Sequence, residues 1–174
     1  MSLLDAPEYD VRRENLNRNL LIGAAALLVL LLLLFVGSFI AGHGWFFSNL
    51  PAEHRIDHFL TAIEQKDYPT AYGIYVNDSS WQQHAQKYSS YPLDRFTEDW
   101  TKYTDGYTAE GVRTSLNAPI TSHKIEKSVT DGTGFWGTGI IVAATVNNTS
   151  KRLFIWYQRS DGTLTYPPPH IFTY

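Results

Sequence analysis

Hydrophobic positions fall along the chain in three regimes. From Leu20 to Ala41 the sequence carries no charge and no polar face. At 1.5 Å per residue, a helix of that length reaches about 33 Å, enough to cross a hydrocarbon core of about 30 Å. From Pro51 to Tyr103 apolar residues return at helical spacing, and after Gly111 they change to the period of strands.

In the second regime, Ile56, Phe59, Leu60 and Ile63 recur at i, i+3, i+4 and i+7, which predicts an amphipathic helix from Pro51 to about Gln65 with proline in its first turn. Lys66-Asp67 ends it. Asp67-Tyr68-Pro69 reads as a cap followed by a helix-starting proline. Ala71, Tyr72 and Tyr75 then give a short second helix folded back on the first and stopped by Asn77-Asp78-Ser79-Ser80. Pro92 opens a third helix whose Leu93, Phe96, Trp100 and Tyr103 share one sector, and Asp105-Gly106 terminates it. Trp81 to Ser90 has room for a further irregular or helical turn.

In the third regime, Ser122 to Val129, Phe135 to Val146 and Arg152 to Gln158 predict antiparallel strands with turns at Asp131-Gly132 and Asn147-Asn148. A short edge strand, Thr163 to Tyr166, follows the Asp161-Gly162 turn. Helices first and strands afterwards predict an α+β class: one transmembrane helix, then about three helices packed on a curved antiparallel sheet of three to four strands. The organisation expected is a tail at 1–19, a transmembrane helix at 20–42, an aromatic linker at 43–50, a folded domain at 51–166 and a proline-rich tail at 167–174.

Charge sets an orientation for the first helix. Arg12, Arg13 and Arg18 precede it, against Arg55 shortly after it, so the positive-inside rule places the N-terminus in the cytoplasm and the domain outside, at a cell or inner membrane. Asp5, Glu8, Asp10 and Glu14 weigh little in that rule. Trp45, Phe46 and Phe47 stand where an interfacial aromatic belt is expected. A cleavable signal fits less well, because cutting after Ala41 misplaces Phe39, and Gly42-His43-Gly44 is a weak site. Gly37 with Ala41 and Ser38 with Gly42 have the small-xxx-small spacing that lets two helices approach.

The chain has no cysteine among its 174 residues, which removes disulfides, thiolate metal sites and cysteine nucleophiles. A net charge of −3 without a basic block argues against nucleic acid as a partner. The expected partners are the lipid bilayer and other membrane proteins or further copies of the chain. No cofactor is expected.

The element order resembles the cystatin-like, nuclear-transport-factor-two-like superfamily that includes the ketosteroid isomerases. The residues that carry it are Phe59-Leu60 through Lys66-Asp67-Tyr68 to Ala71-Tyr72, the aromatic helix around Phe96 and Trp100, and the hairpin strands after Ile120. Bacterial membrane-anchored domains of unknown function are similar. The resemblance implies a cone of helices on a curved sheet and leaves activity open, since the fold hosts unrelated functions.

Chemistry has few footholds. Gly132, Gly134 and Gly137 match Gly-x-Gly-x-x-Gly, but a strand follows where a dinucleotide site needs a helix, so a glycine-relieved hairpin is the reading. His54 and His58 have a metal-sharing spacing, yet they lie opposite Ile56, Phe59 and Ile63 and read as a solvated face. His84 and His123 admit triads with Asp or Ser neighbours on paper only. Tyr72, Phe96, Trp100 and Trp156 are the candidate lining of an aromatic cavity, with a filled core as the equal alternative. Asn77, Asn147 and Asn148 begin glycosylation sequons. Pro167-Pro168-Pro169 is expected to be extended, bracing His170, Ile171 and Phe172 on the domain or presenting them with Tyr174 to a partner. These readings together predict a membrane-tethered, non-enzymatic interaction module, an accessory or scaffolding subunit. The alternative is a small-molecule binder or isomerase-like enzyme using the interior of the cone.

Overall fold

The computed structural model describes residues 11–102, 105–107, 113–115, 118–131 and 137–165. The chain divides into two compact units, Met1–Gly37 and Ser38–Tyr174. Helix α1, Val11–Ile40, makes up the described part of the first unit and reaches into the second. It starts well before Leu20, since nothing between Val11 and Asn19 breaks a helix, and it is long and apolar enough to cross a membrane, with none of its most apolar window buried in protein.

In the second unit, α2 (Phe46–Glu64) leads to α3 (Tyr68–Tyr75), a 3-10 segment (Trp81–Tyr88) and α4 (Leu93–Lys102). Among the described residues six strands follow: β1 (Asp105–Tyr107), β2 (Arg113–Ser115), β3 (His123–Thr130), β4 (Gly139–Val146), β5 (Arg152–Gln158) and β6 (Leu164–Thr165). The sheet is antiparallel and open, in the order β2-β1-β5-β4-β3, and β6 pairs with β5 near its far end.

Helix ends follow local chemistry. Asp67 caps α3 by accepting from the Thr70 N–H at 3.2 Å, with Pro69 in the first turn. Both α2 and α3 end in a left-handed residue, Lys66 (φ 60°) and Asn77 (φ 52°). The N–H groups of Asp67 and Asp78 then return to the carbonyls of Ala62 and Gly73, which satisfies the last turn of each helix. The 3-10 segment occupies the stretch for which sequence periodicity predicted no definite element, and it breaks at His84.

The predicted helical face of α2 is the core: Ile56, Phe59 and Leu60 are fully buried and Ile63 nearly so. They pack with Ala71 and Tyr72 of α3, Phe96 and Trp100 of α4, and the strand residues Ile140, Val142, Ala144, Val146, Leu153 and Ile155. At roughly 1.5–3 kcal/mol for each large apolar side chain buried, this cluster is the main source of the unit's stability.

Several boundaries differ from the sequence expectation. Residues 46–50 are the first turns of α2 instead of a linker, and Pro51 sits inside the helix. Strands β1 and β2 fall where the sequence predicted the end of the third helix and an uncommitted stretch, because three-residue strands carry no measurable period. Gly137 and Thr138 precede β4 instead of belonging to it. Tyr103, Gly132, Gly134, Phe135, Trp136, the triple proline and the tail to Tyr174 lie outside the described residues.

Candidate functional site

Beside its apolar face, α2 carries Asn49, Glu53, Asp57 and Glu64 at i, i+4, i+8 and i+15, a single polar stripe on a 3.6-residue helix. The stripe lies along β3, which runs antiparallel to it: Asn49 meets Ser128 at one end, and Asp57 and Glu64 meet His123 toward the other. His123 and Ser128 are five residues apart, so in a regular strand they would project to opposite faces. They share the α2 face because the β3–β4 register shifts between Ile125 and Lys127, making Glu126 the extra residue of a bulge. Glu126 turns outward and accepts from Arg152 Nε at 2.7 Å.

At the Ser128 end the contacts form a connected, buried polar cluster. Asn49, fully buried, donates from Nδ2 to the Ser128 carbonyl (3.3 Å) and hydroxyl (3.0 Å) and accepts from the Ser48 hydroxyl. The Ser128 N–H donates to the Gly42 carbonyl at 3.1 Å and its hydroxyl to the His43 carbonyl at 3.0 Å. The Ser38 hydroxyl donates to the Gly44 carbonyl at 3.0 Å. His43 Nδ1 lies 2.8 and 2.9 Å from the two oxygens of Glu53, itself only 7% exposed. Gly44 is required here: its φ is +55°, and a Cβ would stand 2.5 Å from Asn49 Nδ2 and 3.1 Å from the Ser128 carbonyl.

At the His123 end, Nδ1 is 2.6 Å from Glu64 and Nε2 is 3.0 Å from Asp57. Both ring nitrogens of His123 are thus engaged by carboxylates. His84 likewise faces Asp78, whose Oδ2 also accepts from the Tyr88 hydroxyl at 2.9 Å. These bonds, that from His84 foremost, hold the Asp78 carboxyl below its ordinary range. His84 and His123 are thus each paired with carboxylates among the described residues. His54 and His58 lie on the exposed face with rings 4.2 Å apart.

The candidate cavity residues do not line one space. Tyr72, Phe96 and Trp100 meet within the core, Phe96 at 5.2 Å from Tyr72 and 6.0 Å from Trp100, and the Tyr72 hydroxyl donates to the Tyr91 carbonyl at 2.6 Å. Burial raises the Tyr72 phenol, with Tyr88 adding to it. Trp156 lies on the opposite face of the sheet. In β5, Leu153 and Ile155 enter the core and the period of two sends Trp156 the other way, where it covers Gly139 and donates to Gln158 at 2.7 Å. That alternation is legible in Leu153-Phe154-Ile155-Trp156.

The helix-association residues are also placed differently from expectation. Helix α1 ends at Ile40, so Ala41 and Gly42 lie in a turn, Gly42 with φ +85°, and neither continues a helical face. Ser38 is buried and bonded to Gly44, while Gly37 has open space around it. Trp45 packs edge-on against Phe39 at 5.5 Å. Phe46 and Phe47 open α2, and their side chains are outside the described set.

A groove of about 500 Å³ opens on the α3 side, lined by Arg55, Thr70, Gly73, Asn77, Asp78 and Trp81. Arg55 Nη2 donates to the Ile74 carbonyl (2.9 Å) and Asn77 Oδ1 (2.6 Å), while its buried Nε has no partner among the described residues. Burial lowers the guanidinium below its usual range. Of the sequon asparagines, Asn77 donates to the Asp161 carbonyl and Asn147 to the Pro119 carbonyl. Asn49, Glu53, Asp57, Glu64 and Ser128 had no part in the sequence expectation. The one trace of the four helix residues is their polar spacing along α2, and the partners of Asn49, Asp57 and Glu64 are tens of residues away. Comparison with protein-family models, with curated proteins and with solved structures finds no match to the chain.

Proposed function

We propose that the protein is a single-pass membrane-anchored interaction module, with its N-terminal tail in the cytoplasm and its α+β domain on the outer face of a cell membrane. In this reading it is an accessory or scaffolding subunit without catalytic activity, and the domain is a cystatin-like cone. The observation that carries the reading is α1, a 30-residue helix whose apolar window is wholly exposed and therefore needs a non-aqueous environment. The positive-inside excess of Arg12, Arg13 and Arg18 supports the orientation. Helices ahead of an antiparallel sheet support the cone.

The competing reading, a binder of small apolar molecules or an isomerase, needs open space where Tyr72, Phe96 and Trp100 stand. Those side chains fill that space with one another, and the groove beside Arg55 is open and of mixed polar and apolar lining. The packing therefore supports an outward-facing role. The test is cross-linking in native membranes followed by detergent extraction: the chain should migrate in a defined complex with membrane proteins or with itself. Recovery solely as a monomer would overturn the subunit reading, and release of the chain by alkaline carbonate would overturn the anchor.

A further inference from the structure

Exposed large apolar side chains are unevenly distributed. Among the described residues, all but two belong to α1. The exceptions are Leu50, 49% exposed, and Val129, 58% exposed, which are far apart in sequence. Each directly follows one member of the hydrogen-bonded pair Asn49 and Ser128, and Ser128 in turn donates to the carbonyl of Gly42, two residues past the end of α1. The two exceptions thus adjoin residues tied by hydrogen bonds to the turn that follows α1, whose last residue, Ile40, is 83% exposed.

The edge strand β3 changes character toward that point. Its exposed positions elsewhere carry Lys124 and Lys127, the charged residues with which proteins protect a free sheet edge. At Val129 the protection stops. Lys127 lies beside Gly42, since a Cβ there would stand 3.2 Å from its Cγ and 3.6 Å from its Cε. An apolar stem that ends in an ammonium suits the boundary between acyl chains and headgroups. Trp45, packed on Phe39, has the amphipathic character that favours the same layer.

We infer that this end of the domain docks on a lipid surface, with Leu50 and Val129 entering the headgroup and acyl boundary of the outer leaflet. The inference rests on the membrane reading of α1 and adds a contact that tethering alone does not require. Interfacial apolar groups reach about 5–10 Å into that boundary, so the contact is shallow. A domain docked in this way holds its remaining surfaces, including the groove beside Arg55, at a defined height above the bilayer.

The absence of cysteine makes the test direct. Full-length variants Leu50→Cys, Val129→Cys, Leu28→Cys and Gln83→Cys, each labelled with a polarity-sensitive fluorophore, are reconstituted into phosphatidylcholine vesicles. Spin labels near the headgroup should quench Leu50→Cys and Val129→Cys with a blue-shifted emission, while the exposed Gln83→Cys should respond only to an aqueous quencher. Aqueous quenching at Leu50→Cys and Val129→Cys, with Leu28→Cys still quenched by deep spin labels, would overturn the docking and leave the anchor standing. Shielding of both sites from lipid and water alike would also overturn it, in favour of a protein partner. Failure of lipid quenching at Leu28→Cys would overturn the membrane reading itself.

Discussion

Asn49 and Ser128 show how much rests on individual buried polar groups. Nothing in the sequence links the two, yet together they close a set of hydrogen bonds in which every donor is used. Removing one partner leaves the other desolvated and unpaired, at a cost of about 1–3 kcal/mol. Asn49→Ala and Ser128→Ala should each lower stability by that amount, and the double variant should cost less than their sum when unfolding is followed in denaturant. Strict additivity would mean that the two groups act independently. Tyr75 supplies a second test at this scale. Burial, with Asp99 and Tyr72 adding to it, pushes its phenol from 10.0 up to about 12. A raised tyrosine contributes stability that is whole below pH 10.0 and is lost as pH rises through about 12, because the unfolded chain ionises first. The loss should amount to about 2–3 kcal/mol. Tyr75→Phe should flatten that alkaline limb in pH-dependent unfolding and remove the late-titrating tyrosinate absorbance.

Among elements, β3 is the most informative. Its bulge at Glu126 lets the strand present His123 and Ser128 to the same helix, and its outward edge is tied to the turn at Gly42. Deleting Glu126 leaves His123 and Ser128 an even four positions apart, so a regular strand would still present both to α2. The deletion should therefore cost little beyond the partly exposed Glu126–Arg152 pair, under about 1 kcal/mol, read as a small change in melting temperature. A loss of the roughly 1–3 kcal/mol of a broken buried polar set would show that the bulge does more than correct the odd spacing of the two residues. The helices were far more legible. Ile56, Phe59, Leu60 and Ile63 are the buried face of α2 as their spacing predicts, and Phe96 and Trp100 are that of α4. Local periodicity reports one face of one element. It does not report a bulge, whose only signature is a shift against a partner strand.

For the whole molecule, the division at Ser38 separates a helix with no protein around its apolar window from a unit with its own core. If α1 spans a bilayer, charge at its centre is expensive, about 2.5–3.5 kcal/mol for each arginine. Leu28→Arg with Leu31→Arg should move the chain from the carbonate-resistant membrane fraction to the soluble or aggregated one, while either arginine placed before Leu20 should not.

The sequence by itself determined the apolar helix, the α+β order, the core faces and most turns, because each is written in neighbouring residues: a run without charge, a period of 3.6 or 2, a capping aspartate, an Asp-Gly or Asn-Asn pair. Tertiary structure alone decided where the polar groups go. It folded His43 to Leu50, expected as linker, into a turn and the start of α2, and joined them to Ser128. It sent Trp156 to the opposite face from Tyr72 and Phe96, and gave His123 its two carboxylates. The physical reason is range. Hydrophobic burial acts on patterns that recur every few residues, whereas a hydrogen bond between Asn49 and Ser128 is specified only once both elements have been packed against a common core.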